Sequence, residues 1–409
     1  MEATLRDPSV IALAENLRSQ FALCPSCLGR QFASLETGMT NHQRGTLLYQ
    51  QIKQKTIVPT DSCWLCEGLC DEISHFATII ARSLAEYEYT TFLIGSRIDE
   101  ELSQKEQQIA EVMKTDYAEP LKMEINRETG KLLEASLNKE VDFTSPDIVA
   151  MIDTRFDTVS LQIKSLYIYG RYQKLQRGIP QTRWPCRFCR GRGCRACQYT
   201  GKLYETSVEE LLSQPLLQQT QGTEEAFHGC GREDIDALML GSGRPFVLEI
   251  KNPKNRSINL SSFTQTINTK NKEKIQVHNL RFSSKEEITR LKHANFRKVY
   301  HALLEAEKPF HKEKLKEVAQ ILPGTTIRQF TPTRVAHRRA NMVRERKIYN
   351  CELELIEDTI ARLKIETDSG TYIKELVSGD NGRTQPNISE MIHIPCKVRE
   401  LDVMEVKGE

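Results

Sequence analysis

The chain has 409 residues, 39% apolar and 27% charged, which allows two or three packed domains at roughly 150 residues each and excludes compositional disorder. Its longest apolar stretches, such as Phe76–Ile80, fall far short of the ~20 residues of a membrane helix. The opening MEATLRDPSV lacks the basic start and apolar core of a signal peptide, so neither secretion nor membrane spanning is expected.

Net charge is only +2, but it is unevenly spread: nine basic residues and no acid lie between Arg171 and Lys202, and seven against one acid between Arg328 and Lys347. Concentrated basic segments on a neutral chain suggest a polyanion partner, the alternative being ordinary solvated faces.

Residues 1–70 carry two CxxC pairs, Cys24 with Cys27 in CPSCLGRQF and Cys63 with Cys66 in CWLCEGLC. A CxxC turn offers two thiolates from one knuckle, and two knuckles close a tetrahedral zinc site. The stretch 28–62 between the pairs suits a zinc ribbon. Cys70, just behind, is a substitute ligand or a buried thiol. Disulfides are disfavoured because nothing points to an oxidising compartment.

Residues 71–175 form a second segment. DEISHFATIIARSLAEYE places Ile73, Phe76, Ile79, Ile80 and Leu84 at helical spacing. EYTTFLIGSRI, PDIVAMIDT and TVSLQIKSLYIYG then read as strands, the last alternating Val159, Leu161 and Ile163. The alternation of helix and strand predicts a small α/β unit.

Residues 176–409 form the third and largest. They open on CRFCRGRGCRAC, a CxxC-x4-CxxC insert at 186–197 with Cys186, Cys189, Cys194 and Cys197, in which Gly191 and Gly193 permit a sharp reversal onto one metal. No His-x-Glu pattern accompanies either cluster, so one or two structural zinc ions are expected. Cys230, Cys351 and Cys396 read as small core hydrophobes. RPFVLEI, KIQVHNLRF, KVYHALLEA, YNCELELIE and ARLKIETDSG are strand-like, with HKEKLKEVAQIL as a helix among them. Many strands with few helices predict an α+β domain with a large, mostly antiparallel sheet.

Three segments carry candidate chemistry. HGCGREDIDALMLGSGRPFVLEI sets Arg232 beside Glu233, Asp234 and Asp236 on a glycine-rich turn before a strand, a plausible place for an active-site loop as well as for an ordinary charged turn. FTPTRVAHRRANMVRERKIYN gathers Arg334, Arg338, Arg339, Arg344 and Arg346, with Tyr349 at its end; guanidinium forks suit phosphate and aromatic rings suit a base. TDSGTYIKELVSGDNGRTQPNISEMI holds Tyr372, Lys374 and Leu376. No dinucleotide or phosphate-loop fingerprint occurs.

In this order, the three segments resemble pseudouridine synthases. GRED at Gly231–Asp234 is similar to the catalytic-aspartate motif, RERKIY ending at Tyr349 to the tyrosine motif, and GTYIKEL at Gly370–Leu376 to the C-terminal motif. The strings LGSGRPFVLE, TPTRVAHRR, WPCRFCRGRGCRAC and GDNGRTQP narrow the likeness to archaeal tRNA pseudouridine(54/55) synthases, which carry an N-terminal zinc and THUMP accessory region.

The resemblance implies an N-terminal zinc-binding region at 1–70, a THUMP-like RNA-binding domain at 71–175 and a catalytic domain at 176–409. It implies isomerisation of uridine 54 and uridine 55 in the tRNA T arm, with the THUMP region on the acceptor end, a cytoplasmic location and no organic cofactor. The motif selects Asp234 over Asp236 as the catalytic carboxylate, with Arg232 and Lys374 as its cationic partners, Tyr349 stacking on the flipped base and Leu376 packing beneath. The arginines at 334, 338, 339, 344 and 346 and Tyr372 are then substrate-binding. The competing reading is a non-catalytic zinc and THUMP tRNA-binding protein, which would not need Asp234.

Overall fold

A computed structural model describes residues 4–53, 62–336 and 340–408. They fall into two compact units, divided between Lys164 and Ser165. Arg338 and Arg339 lie outside the described residues. Among the described residues no helix is long and apolar enough to cross a membrane.

The first unit begins with helices α1 (Pro8–Gln20), α2 (Pro25–Gly29), α3 (Asn41–Gln51) and α4 (Ile73–Leu84). The start of α3 is fixed by a reciprocal cap: Gln43 N–H donates to the Thr40 hydroxyl and Thr40 N–H donates to the Gln43 side chain. Phe76, Ile80 and Leu84, spaced by four, form the buried stripe of α4. Then follow β1 (Thr91–Arg97), α5 (Glu100–Met113), α6 (Leu121–Leu137), β2 (Glu140–Val141), β3 (Ile148–Asp153) and β4 (Thr158–Ile163). The sheet runs β2-β1-β3-β4, with β1 parallel to β2 and β3, and β4 antiparallel.

One apolar core runs from Leu5 through Cys27, Cys63 and Cys66 to Ile152. The expected regions 1–70 and 71–175 therefore share a core up to Lys164. The second boundary also shifts, because TVSLQIKSLYIYG breaks at Lys164 and Ser165. Its first half is β4, and its second half, β5 (Leu166–Lys174), belongs to the sheet of the second unit.

The second unit continues with α7 (Val208–Thr220), β6 (Glu224–Gly229), β7 (Leu238–Lys251), α8 (Leu260–Lys270), β8 (Ile275–Ser283), α9 (Lys285–His293) and β9 (Lys298–Ala306). It ends with α10 (Lys312–Ile321), β10 (Thr326–Phe330), β11 (Val343–Glu357), β12 (Ile360–Thr367), α11 (Ile373–Ser378), β13 (Thr384–Gln385), α12 (Ile388–Ile392) and β14 (Cys396–Val406). All strand-like runs named from the sequence here are strands. The ten-stranded sheet has the order β13-β10-β11-β12-β9-β14-β7-β5-β8, with β6 paired to β7. Every pairing is antiparallel except β14 with β7. This is the mixed, mostly antiparallel α+β architecture expected.

The topology places the GRED loop. It joins β6 to β7 and reaches the start of β7, where Leu238 and Met239 pair with Asp402 and Val403 of β14. The next strand beyond β14 is β9, with Tyr300 opposite Val403. A charged turn is thus delivered to the middle of a long sheet.

Candidate active site

The loop is set from beneath by buried charge. The Glu233 side chain is fully buried. Its carboxylate accepts from Arg244 Nε at 2.8 Å and from the Tyr172 hydroxyl at 2.9 Å, with Lys174 Nζ at 4.0 Å. Arg244 also donates to the Cys230 carbonyl, and Lys174 to the carbonyls of Ile179, Asp234 and Ile235. Gln181 donates to the Gly231 carbonyl. The loop's backbone polar groups are thereby satisfied largely by charged donors, which are the stronger kind. Gly231 has φ +77°, and a Cβ there would sit 2.9 Å from Lys298 Nζ and 3.2 Å from Arg244. Glycine takes that left-handed conformation without strain, and a side chain there would push on both cations.

Held this way, Asp234 projects into a cleft of about 530 Å³. Its side chain is 38% exposed, with Arg334 at 3.2 Å and Lys374 at 3.5 Å. Arg334 is itself fixed by the buried Glu375, at 2.7 Å and 3.4 Å. Lys374 also reaches Asp236 at 2.9 Å. Burial raises the Asp236 carboxyl, but the Lys374 hydrogen bond and charge outweigh it and leave the group below its ordinary value. Asp236 is exposed and does not line the cleft.

The other expected residues differ in how they stand to the cleft. Arg232 lines the cleft but is exposed, and among the described residues Arg334 and Lys374 are the cations paired with Asp234. Tyr349 is not in the cleft wall. Its hydroxyl donates to Asp368 at 2.9 Å and the Arg297 guanidinium lies 3.7 Å from its ring. The cause is strand alternation: Ile348 faces the core, so its neighbour turns the other way.

Leu376 is fully buried in the main core and does not touch the cleft. Two residues along a helix is about 200° of rotation, so Leu376 points away when Lys374 points in. The apolar wall is instead Val335, Ile373, Leu401 and Val403.

Tyr372 does line the cleft, with Arg344 5.9 Å from its ring. Arg344 donates to the Thr331 hydroxyl, and Arg346 to the Glu345 carbonyl, so both have local structural contacts.

Two residues missed in the sequence complete the cleft. Tyr300 and Lys298 are both buried and both line it. Burial pushes the Tyr300 hydroxyl up to about 12. Burial, reinforced by the Arg244 charge, pushes Lys298 down to about 8. The signal was present in KVYHALLEA: the period of two places Lys298 and Tyr300 on the face of Ala302 and Leu304, and a lysine in a buried register is exceptional.

Two thiol quartets have metal spacing. Cys186, Cys189, Cys194 and Cys197 cluster, with Sγ separations of 4.0, 3.8 and 3.7 Å for the pairs 186/194, 189/197 and 194/197. A tetrahedron with Zn–S bonds of about 2.3 Å has edges of about 3.8 Å. Gly191 and Gly193 take φ +94° and +89°, as the reversal requires. Gly193 N–H donates to Cys189 Sγ, and Cys194 and Gly201 N–H donate to Cys197 Sγ, hydrogen bonds that suit thiolate ligands.

The other quartet is Cys24, Cys27, Cys66 and Cys70, with separations of 3.9 Å for 24/66 and 4.0 Å for 27/70. Cys63, expected as a ligand, lies beside this group and accepts the Cys24 N–H at 3.3 Å. Both quartets fit a zinc ion.

The sequence matches known families. The model of "Pus10, C-terminal" matches residues 167–407, and "Pus10 THUMP domain, archaeal" matches 76–153. The chain is 40% identical to the tRNA pseudouridine synthase Pus10 of Methanothrix thermoacetophila, over 94% of this chain and 92% of that one. It is 41% identical to the same-named protein of Methanothermobacter marburgensis, over 94% and 95%. With that of Methanocaldococcus jannaschii the identity is 40%, over 95% and 92%. A carboxylate between two cations in an aromatic-walled cleft, on a chain alike over nearly its full length, leads to one conclusion: the chain belongs to the Pus10 family of tRNA pseudouridine synthases.

Proposed function

We propose that this chain isomerises uridine 54 and uridine 55 of the tRNA T arm to pseudouridine, with Asp234 as the reacting carboxylate. The observation that carries the reading is Asp234 itself, partly exposed in the cleft and flanked by Arg334 and Lys374. The reaction breaks the N1–C1′ bond, turns the base and joins C5 to C1′. The C5 proton leaves and N1 gains one, so no oxidant, reductant or energy source is consumed.

The target uridine must leave its stack, at a cost of a few kcal/mol. Tyr300, on the cleft wall beside Asp234, takes the stacking role first expected of Tyr349. Tyr372 supplies a second aromatic ring to the same cleft. Lys374 and Arg334, at 3.5 Å and 3.2 Å, aim the Asp234 carboxylate into the cleft. Phosphate pairing by the other arginines of the arginine-rich segment, at 338, 339, 344 and 346, offsets the cost of flipping and makes binding salt-dependent.

The THUMP region grips the acceptor end and sets the distance to the T loop. The two cysteine quartets would hold Zn²⁺ as structural staples, with no part in the bond changes. The protein works in the cytoplasm, where tRNA is found.

The test is a nucleotide-resolution map of pseudouridine on an unmodified tRNA transcript, alongside transcripts with cytidine at 54 or at 55. Wild type is expected to modify both positions, and each cytidine to abolish only its own signal. Binding without pseudouridine anywhere would hand the protein to the non-catalytic tRNA-binding reading.

A further inference from the structure

The nine basic residues between Arg171 and Lys202 do not form one surface. Arg171 is buried and donates to the carbonyls of Ser242, Gly243 and Val406. Lys174 is buried under the GRED loop. Arg177 pairs with Asp402 and Lys202 with Glu210. What remains exposed is Arg183 and the four arginines of the cysteine knuckle: Arg187, Arg190, Arg192 and Arg195.

Two aromatic rings accompany them. Phe188, between Cys186 and Cys189, is 82% exposed, and Tyr199, just after Cys197, is 71% exposed. Large apolar rings at such exposure run against the ordinary preference for burial. Tyr199 also has φ +61°, a left-handed conformation uncommon for a bulky residue and costing of order 1 kcal/mol. The fold spends that on a ring facing solvent. The knuckle backbone is meanwhile fixed at both ends, by the thiol quartet and by the Pro185–Lys202 bridge.

Rigid, exposed rings among arginines and without a carboxylate match unpaired nucleic acid. Each base offers a π-face to an aromatic ring, and each phosphate offers an anion to a guanidinium. We infer that the knuckle at 186–199 is a second RNA-binding site, in which Phe188 and Tyr199 stack on unpaired nucleotides of the tRNA while the arginines hold the flanking phosphates. The inference rests on tRNA being the substrate, and it adds base stacking outside the cleft. A protein partner is disfavoured by the density of like charge over so few residues.

The experiment uses the full-length, zinc-replete protein and measures anisotropy of a labelled, unmodified tRNA transcript across salt concentrations. Stacking is worth about 1–3 kcal/mol per base, so Phe188→Ala with Tyr199→Ala is expected to weaken binding at least about tenfold with an unchanged salt slope. Phe188→Trp with Tyr199→Trp restores affinity. Arg187→Gln with Arg190→Gln instead flattens the slope, by about 0.7 for each single-strand phosphate no longer neutralised.

Wild-type affinity in the alanine pair overturns the proposal. Photocrosslinking of wild-type protein to 4-thiouridine-containing tRNA gives a readout independent of variant folding: crosslinks within residues 187–199 are expected, and their absence also overturns it. The two readings fail separately. If wild type makes pseudouridine and the alanine pair binds normally, only the knuckle site falls. If the rings are needed for binding but wild type makes no pseudouridine, only the enzymatic reading falls.

Discussion

Glu233 and Asp234 are consecutive carboxylates, each facing one arginine and one lysine. Glu233 meets Arg244 and Lys174 with none of its side chain exposed. Asp234 meets Arg334 and Lys374 with 38% exposed. The first is surrounded by partners and cannot be reached, so its charge serves only to hold the loop. The second is paired on one side and open to the cleft on the other. Charge matched in the interior gives position, and charge matched at a surface leaves chemistry available. The same division runs through the cations: Lys174 is committed to backbone carbonyls, whereas Lys374 faces the open carboxylates.

Removing Glu233 breaks this arrangement most severely, because it leaves Arg244 buried without its counter-charge. Glu233→Ala is expected to lower stability by about 3–5 kcal/mol, the usual cost of orphaning a buried partner; a denaturant midpoint close to wild type would contradict that. Arg334→Met tests the open pair instead. It should cost about 10²-fold in turnover, the scale for removing one preorganised electrostatic partner, and should also lower the unfolding midpoint, because it leaves the buried Glu375 without its counter-charge.

Lys298 sharpens the comparison, being a buried cation that lines the cleft. Its pKa, pushed down to about 8 from 10.5, means that the unfolded chain holds this proton more tightly. The penalty is therefore full below pH 8 and fades as pH rises from 8 to 10.5. Lys298→Met should stabilise the protein by about 3 kcal/mol at pH 7 and lower activity, with the stability gain shrinking towards pH 10.5 in a urea series.

Glu124, in the first unit, is the acidic counterpart. Burial pushes it up to about 7, and its Oε2 has no hydrogen-bond partner among the described residues. A raised carboxyl contributes its stability below pH 4.5 and loses it as pH climbs through 7. Glu124→Gln should thus gain about 3 kcal/mol at pH 8 and nothing at pH 4. Equal gains at both would contradict the assignment.

Much of this was legible in the residues. The strand runs carry their period of two, and the GRED, arginine-rich and GTYIKEL segments do meet around one cleft. What escaped depended on neighbours distant in sequence. Arg334 reads as a phosphate ligand until Glu375, 41 positions on, is seen to fix it beside Asp234. Tyr349 and Tyr300 are both strand tyrosines, and only sheet order shows which one faces the cleft. Cys63 and Cys70 flank Cys66 at similar spacing in sequence. The structure groups Cys70, on the turn after Cys66, with Cys24, Cys27 and Cys66, and sets Cys63 close beside them, accepting the Cys24 amide.

The most direct measurement is single-turnover pseudouridine formation at saturating, unmodified tRNA for Asp234→Asn and Asp236→Asn, with tRNA affinity and thermal unfolding recorded on the same samples. The account predicts that Asp234→Asn loses at least about 10³-fold in rate while binding and melting as wild type, and that Asp236→Asn stays within about tenfold. A fast Asp234→Asn enzyme, or a dead Asp236→Asn one that still binds and folds, would contradict the claim that the open carboxylate of the pair is the reacting one.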